Sequence, residues 1–242
     1  SGAMFRFPHH HEELHIKGGR SIGEAILGSA DGLTTPFALA AGLSGVVAST
    51  GVVFLAGSAE MVAGGIAMGL GGYLSTKSYN ELYARELARE YREVGEVPEQ
   101  ERREVSHIFE QKGFAGEDLE RAVHVITENK DRWVKFMMRE ELGMQEDDLR
   151  PPARSAAIVG GSYMAGALVP LLPYMVAQDV LQGLLYSSIL TLVALLSAGV
   201  VKGKLSGRPW LLSGLETAGI GALAAGTAYG FAKLLSSAGV GQ

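Results

Sequence analysis

Long stretches without a charged residue are the feature that most constrains how this chain can fold. A helix of about 20 mostly apolar residues crosses the hydrocarbon core of a bilayer. Only helices and closed barrels satisfy their backbone hydrogen bonds there, and these stretches are too long and continuous for barrel strands. The sequence therefore predicts an all-α membrane protein. The uncharged stretches are 32–59, 61–76, 155–178, 180–201 and, apart from Glu216, 209–232.

The first apolar region, 22–78, is too long for one span, and small, turn-prone residues at 49–51 divide it. The alternative, a soluble protein with five long uncharged core helices, would leave those helices without a polar face. We therefore expect five transmembrane helices. They are placed near 22–48, 52–78, 155–178, 180–201 and 209–232.

The charged residues are concentrated in one block, because 32 of the 47 lie between residues 80 and 154. Within this block, Pro98 suits the first turn of a helix, and Gly113 and Gly143 suit helix ends. It is predicted to be a small helical domain continuous with the second span. The organisation expected is a cytosolic tail at 1–20, in which 1–3 resemble a tag remnant, transmembrane helices one and two at 21–79, a cytosolic helical metal-binding domain at 80–153, and transmembrane helices three to five at 154–242.

The basic residues predict an orientation, because Lys and Arg accumulate on the cytosolic side of a membrane. The basic segments before the first span, within the charged block and between spans four and five all fall on one side of a five-span chain. The N-terminus and the charged block are therefore expected in the cytosol, and the C-terminus on the far side.

Composition excludes several classes of function. The chain has no cysteine and a formal net charge of −5, with no basic block to neutralise phosphates, so nucleic acid is not an expected partner. We find no phosphate-binding glycine loop, HExxH motif or GxSxG elbow. The chain is therefore not expected to be an enzyme or to hold a cofactor.

Two pairs of glutamates in the charged block have helical spacing. Glu90 and Glu93 are three residues apart, and so are Glu101 and Glu104, so each pair shares a helix face. On adjacent antiparallel helices, four such carboxylates can meet and bind a divalent cation. Taken alone, each pair also fits a solvated helix face with arginine partners.

A methionine pair precedes another glutamate in the last helix of the block. Met137 and Met138 lie four and three residues before Glu141, and thioether sulfur makes a carboxylate site more favourable for transition metals. The neighbouring Trp133 and Phe136 equally favour an ordinary hydrophobic core.

Acidic residues inside the apolar regions are a third candidate site. A carboxylate in a span is costly and therefore indicates function, and Asp31 and Glu60 fall in the first two spans. Met68 follows Glu60 by about two turns and can share its face. The alternative for Asp31 is a turn, because Asp-Gly often marks one.

Glycines four residues apart occur in both of these spans. Gly28 and Gly32 have this spacing, and so do Gly65 and Gly69. Such glycines either let helices approach closely or are ordinary glycines of membrane helices.

These residues together resemble a known family. Residues 29–38, SADGLTTPFA, are similar to the first-span signature of the vacuolar iron transporter family. Glu60-Met61 and residues 68–78, MGLGGYLSTKS, resemble its second-span signature. The resemblance continues through the glutamate pairs and the methionine segment, and covers about residues 21–236.

The resemblance implies a homodimer with five transmembrane helices per protomer and a pathway at the dimer interface. It implies export of cytosolic Fe²⁺, often also Mn²⁺, by a proton-coupled antiporter active in metal homeostasis. Membrane lipid, protons and divalent ions, with Zn²⁺ as a further candidate, are then the partners. Asp31, Glu60 and Met68 match the family's pathway positions, and its cytosolic metal ligands correspond to Glu90, Glu93, Glu101, Glu104, Met137, Met138 and Glu141.

Some alternatives stay open from the sequence. A membrane-anchored ferroxidase or metal store, or a metal sensor, would use the same glutamates without transport. The compact length favours a bacterial-type member in a plasma membrane, with a vacuolar membrane as the counterpart in a eukaryote. A histidine-rich start, with His9, His10, His11 and His15, either binds metal or is a solvated tail.

Overall fold

The computed structural model describes residues 19–239, and this part of the chain contains helices and no β-strand. The expected all-α class is confirmed. The helices are α1 (Gly19–Ser44), α2 (Thr50–Glu96), α3 (Pro98–Gln111), α4 (Gly116–Thr127), α5 (Lys130–Glu140), α6 (Pro152–Leu171), α7 (Pro173–Val176), α8 (Val180–Leu205) and α9 (Trp210–Ser237), with a 3₁₀ turn at Glu146–Asp148.

Helix ends in the charged block follow the local chemistry. Pro98 occupies the first turn of α3, and Gly113 and Gly143 adopt positive φ angles of 92° and 65° after α3 and α5. Near Asn129 the chain breaks between α4 and α5. There the Asn129 side chain accepts a hydrogen bond from the Arg132 N–H at 2.9 Å and caps α5.

Helix α2 is 47 residues long and continues from an apolar segment into the charged block, as the sequence predicts. Between its start and Lys77 it contains a single charged residue, Glu60, whereas nine charged residues lie from Lys77 to Glu96. The apolar part alone therefore suits a bilayer.

Four helical segments are long and apolar enough to cross a membrane: Thr50–Glu96, Pro152–Val176, Val180–Leu205 and Trp210–Ser237. Helix α1 corresponds to the first predicted span and does not meet the same criterion, so the count of five is not confirmed. Asp31, Thr34, Thr35 and Pro36 lower its hydropathy. Its buried positions and its packing against α8 and α9 reduce its need for a uniformly apolar surface.

The chain divides into two compact units. The first, which we call the bundle unit, comprises Ser1–Gly65 and Gly161–Gln242. The second, the charged unit, comprises Ile66–Gly160. In the bundle unit, α1 packs on α8 and α9, α8 packs on α9, and α7 packs on α8. Helix α6 ends at Leu171, one residue after Pro170, whose carbonyl accepts a hydrogen bond from the Ser187 hydroxyl at 2.7 Å.

Glycine allows backbones to touch inside the bundle unit. A Cβ atom at Gly32 would lie under 3.0 Å from three backbone atoms of Tyr163. On the other side of the same crossing, a Cβ atom at Gly166 would lie 2.6 Å from the Ser29 carbonyl oxygen. The close contact between α1 and α6 therefore depends on the absence of side chains at both positions.

The charged unit has its own hydrophobic core. Two polar contacts also connect distant segments of the charged unit. The Thr76 hydroxyl donates a buried hydrogen bond to the Ser155 hydroxyl at 2.8 Å, and Lys112 forms an ion pair with Glu140 at 2.5 Å. The second of these joins the C-terminal ends of α3 and α5. The buried core residues are Tyr83, Val94, Val105, Val123, Trp133, Val134, Met137, Met138 and Met144.

Candidate metal sites

Glu60 and Tyr163 form a polar pair in the bundle unit. The half-buried Glu60 carboxylate accepts a hydrogen bond at Oε1 from the Tyr163 hydroxyl, and Tyr163 is only 1% exposed. The second oxygen, Oε2, is buried and has no hydrogen-bond partner among residues 19–239. A buried carboxylate with a free lone pair suits a cation or a proton, since desolvated acceptors require a partner.

Asp31 lies in the middle of α1, which continues for thirteen residues to Ser44. The turn alternative for Asp31-Gly32 is therefore wrong. The Thr35 hydroxyl donates to Asp31 Oδ1 at 3.2 Å, and Tyr163 lies within hydrogen-bonding reach of Thr35. Asp31 and Glu60 thus each accept a hydrogen bond from a hydroxyl, that of Thr35 and that of Tyr163 respectively.

Sequence reasoning missed Tyr163 as a candidate. A tyrosine in an apolar stretch carries no charge and is common in membrane helices, so nothing in the pattern marks it. The signal that could have found it is the need of an intramembrane carboxylate for a donor on a facing helix. Met68, the third predicted pathway residue, lies on α2 in the charged unit and is half-buried.

The glutamate pairs of α2 and α3 lie close enough in the charged unit for their charges to interact. Glu90 and Glu101 are each 3% exposed. Burial, followed by the charges of Glu141 and Glu101, raises the pKa of Glu90 to about 7. Burial, followed by the charges of Glu104 and Glu93, raises the pKa of Glu101 to about 7. Neighbouring carboxylates that raise one another's pKa are typical of a cation or proton site.

Glu141 of α5 belongs to the same group. Burial and the charge of Glu104 raise the pKa of Glu141, and both residues line an open cavity of about 380 Å³ with His107. The glutamates on three helices therefore form one cluster, which we call the carboxylate cluster. Its members are Glu90, Glu93, Glu101, Glu104 and Glu141.

Two of these carboxylates already accept hydrogen bonds from side chains on their own helices. Glu93 accepts from Arg89 Nε at 2.9 Å, and Glu104 accepts from the Gln100 amide at 3.2 Å. One oxygen of Glu90, Oε2, is buried without a partner in the described chain. Within residues 19–239, no three histidine, aspartate or glutamate side chains are close enough to hold one ion. Binding by this cluster therefore requires side chains to reorient.

The methionine pair lies in the hydrophobic core. Met137 and Met138 are 0% and 1% exposed and pack in the cluster that contains Trp133 and Val134. Such packing is typical of an ordinary hydrophobic core, the alternative to metal ligation. The role of Met137 and Met138 as ligands stays a prediction. His9, His10, His11 and His15 lie outside the described residues.

Comparison with known proteins assigns the chain to a family. The model described as the VIT family matches residues 22–233. The chain belongs to the VIT family. The resemblance seen in the signature segments of the first two spans is thereby confirmed, and the matched VIT range includes every predicted pathway residue and every member of the carboxylate cluster.

Relatives of this VIT chain match it over most of its length. Vacuolar iron transporter 1 of Oryza sativa subsp. japonica is 45% identical over 229 residues, which cover 95% of this chain and 91% of that protein. Vacuolar iron transporter 1 of Arabidopsis thaliana is 43% identical, with coverage of 93% and 90%. Protein CCC1 of Saccharomyces cerevisiae (strain ATCC 204508 / S288c) is 37% identical, with coverage of 89% and 69%.

Proposed function

We propose that this protein is an integral membrane transporter that moves Fe²⁺, and also Mn²⁺, out of the cytosol in exchange for protons. The observation that carries the proposal is the match over more than nine-tenths of the chain to proteins named vacuolar iron transporters. The chain is a transporter rather than an enzyme, and iron is its substrate rather than a cofactor.

The membrane arrangement of the proposal has five spans, including α1. The N-terminus and the carboxylate cluster face the cytosol, and the C-terminus faces the other side, in accordance with the distribution of Lys and Arg. The membrane is a bacterial plasma membrane, or the vacuolar membrane in a eukaryotic cell. Two protomers form a homodimer whose interface conducts the ion.

Metal collection is the proposed role of residues 80–153. The carboxylate cluster supplies oxygen ligands that bind Fe²⁺ and Mn²⁺ alike. Met137 and Met138 add thioether sulfur, which favours iron. Glu90 and Glu101 are buried, and the charges of neighbouring glutamates help to raise their pKa values. A bound divalent cation would reduce this repulsion between carboxylates.

Ion transfer through the membrane uses Asp31, Glu60 and Met68 in this proposal. Asp31 and Met68 from two protomers coordinate a partly dehydrated ion, and Tyr163 holds Glu60 by its hydrogen bond. Protons on the far side protonate these carboxylates and weaken their hold on the ion. Metal and proton therefore compete for the same oxygen lone pairs, which is the physical basis of antiport.

The test of transport is metal uptake into proteoliposomes that contain the purified full chain. Anaerobic Fe²⁺ and, separately, Mn²⁺ are added outside, and the ion inside is measured against protein-free vesicles. Protein-dependent accumulation of either ion is the expected result. Saturable binding without accumulation would instead favour a membrane-anchored store, ferroxidase or sensor.

Metal binding by the cluster should weaken in acid. Glu90 and Glu101 have pKa values of about 7, so both gain protons as pH falls below 7, whereas the metal requires them ionised. For each displaced proton, apparent affinity falls about tenfold per pH unit. We expect Mn²⁺ affinity, measured by equilibrium dialysis, to be nearly constant from pH 8 to 9 and to fall steeply from pH 7 to 6.

The matched control for this pH dependence is the double variant Glu90→Gln and Glu101→Gln. It removes the two carboxyls with pKa values of about 7, so whatever Mn²⁺ binding remains should depend less steeply on pH between pH 7 and 6. An affinity in the unmodified protein that is equal at pH 8 and pH 6 would contradict the assignment of these two carboxyls to the metal.

A further inference from the structure

Arg89 accompanies the carboxylate cluster and stands four residues before Glu93, the spacing of an ion pair on one helix face. Arg89 Nε donates to Glu93 Oε1 at 2.9 Å, and its Nη1 lies 3.6 Å from Glu86 Oε2. The Arg89 side chain is 56% exposed, so the guanidinium lies at the solvent side of the pair. Its immediate sequence neighbour is Glu90, a member of the cluster.

The positive charge of Arg89 acts on several carboxylates of the cluster. Among the groups that affect the pKa values of Glu90, Glu101 and Glu141 in the described chain, Arg89 alone acts to lower all three. These residues lie on α2, on α3 and at the end of α5, so one guanidinium provides counter-charge to carboxylates from three segments. Arg85, one turn earlier, pairs with Glu86 at 2.8 Å, and Glu86 is not a member of the cluster.

A divalent cation must compete with this arrangement. A carboxylate hydrogen-bonded to a guanidinium has fewer lone pairs available to a metal, and the positive charge repels an incoming cation. Between residues 19 and 239 no three acidic or histidine side chains are placed to hold one ion, and Glu93 is engaged by Arg89. Glu93 would have to leave Arg89 to join the other carboxylates.

We propose that Arg89 is a resident counter-cation of the carboxylate cluster, which competes with the metal for Glu93 and keeps metal affinity low enough for release. This inference rests on the proposed role of the cluster in metal collection. A transporter needs sites that an ion enters readily and leaves readily. Arg89 meets the second need, because its return to Glu93 stabilises the cluster after the metal departs. It is a positioning residue that acts through Glu93.

The test compares Arg89→Gln with Arg85→Gln in the detergent-solubilised full chain. Mn²⁺ and Co²⁺ binding are measured by titration calorimetry at pH 8 and low ionic strength. Arg89→Gln should bind each ion up to about fivefold more tightly, because it removes a positive charge that repels the incoming cation and frees a Glu93 oxygen, at an exposed position where solvent screens the effect. Arg85→Gln should stay within about twofold of the unmodified protein, because its partner Glu86 is outside the cluster.

A charge-conserving variant separates charge from structure. Arg89→Lys keeps the positive charge and should show an affinity close to that of the unmodified protein, whereas a disturbed helix would alter both Arg89 variants. Equal binding by Arg89→Gln would overturn the proposal. Weaker binding would also overturn it, and would indicate that Arg89 supports Glu93 as a ligand.

If the carboxylate cluster does not bind metal at all, the same measurements give a different result. In that case the unmodified chain would bind neither ion saturably, or Glu101→Ala with Glu104→Ala would bind as well as the unmodified chain. Either result removes the cluster as a metal site and overturns the role of Arg89 with it. Saturable binding that the double variant loses, together with unchanged affinity in Arg89→Gln, would overturn the role of Arg89 alone.

Discussion

Asp31→Asn should reduce metal transport by at least about 100-fold, because removal of a supporting group beside a metal already costs 10- to 100-fold and Asp31 is proposed to contact the ion directly. The substitution keeps the size of the side chain and its ability to accept the hydrogen bond that Thr35 donates at 3.2 Å. It removes the negative charge that attracts the cation and the site that a proton can occupy. The initial rate of Mn²⁺ uptake into proteoliposomes measures the effect.

Glu216→Gln is the matched control for Asp31→Asn. Glu216 is also a carboxylate in an apolar helix, α9, but it is exposed and is not among the proposed pathway residues. Its neutralisation should leave uptake within about twofold of the unmodified protein, as expected for a surface substitution remote from the site. Normal transport by well-folded Asp31→Asn protein would contradict the proposed pathway.

Gly32→Ala should destabilise the bundle unit severely. A Cβ atom there would approach three backbone atoms of Tyr163 to under 3.0 Å, and a backbone cannot rotate away as a flexible side chain can. Separation of α1 from α6 would lower the free energy of unfolding by about 3 kcal/mol or more, at the upper end of overpacking effects. The expected result is a lower apparent Tm and loss of the monodisperse peak in size-exclusion chromatography.

Gly23→Ala is the control on the same helix. A Cβ atom at Gly23 meets nothing within 4 Å, and alanine favours a helix over glycine by about 0.5–1 kcal/mol. The control should therefore match or exceed the thermal stability of the unmodified protein. A Gly32→Ala protein as stable as Gly23→Ala would show that α1 and α6 are farther apart than this structure has them.

The helical architecture was largely predictable from local chemistry. Uncharged runs predicted the long helices, and Pro98 and Gly143 predicted helix ends, because lipid, proline rings and positive φ angles each constrain the backbone directly. The end of α4 near Asn129 was harder to predict. A side-chain cap and a mild bend leave similar sequence patterns, and only the hydrogen bond to Arg132 distinguishes them.

The candidate sites were less predictable, because contacts between distant segments are not encoded by spacing. Glu60 was found from its charge, but Tyr163 is 103 residues away and has no such signal. The packing role of Gly32 was one of two alternatives from sequence, and the short distance to α6 decides it. Arg89 was one of several arginines in a charged block, and only its 2.9 Å contact with Glu93 distinguishes it.

Simultaneous measurement of metal and proton movement tests the central claim most directly. Proteoliposomes that contain the full chain and an internal pH dye are given Mn²⁺ outside, with the inside more acidic than the outside. The account predicts that Mn²⁺ enters while the interior becomes more alkaline, and that Asp31→Asn abolishes both signals together. Mn²⁺ entry at the same rate with no pH gradient and no change in internal pH would contradict proton-coupled transport.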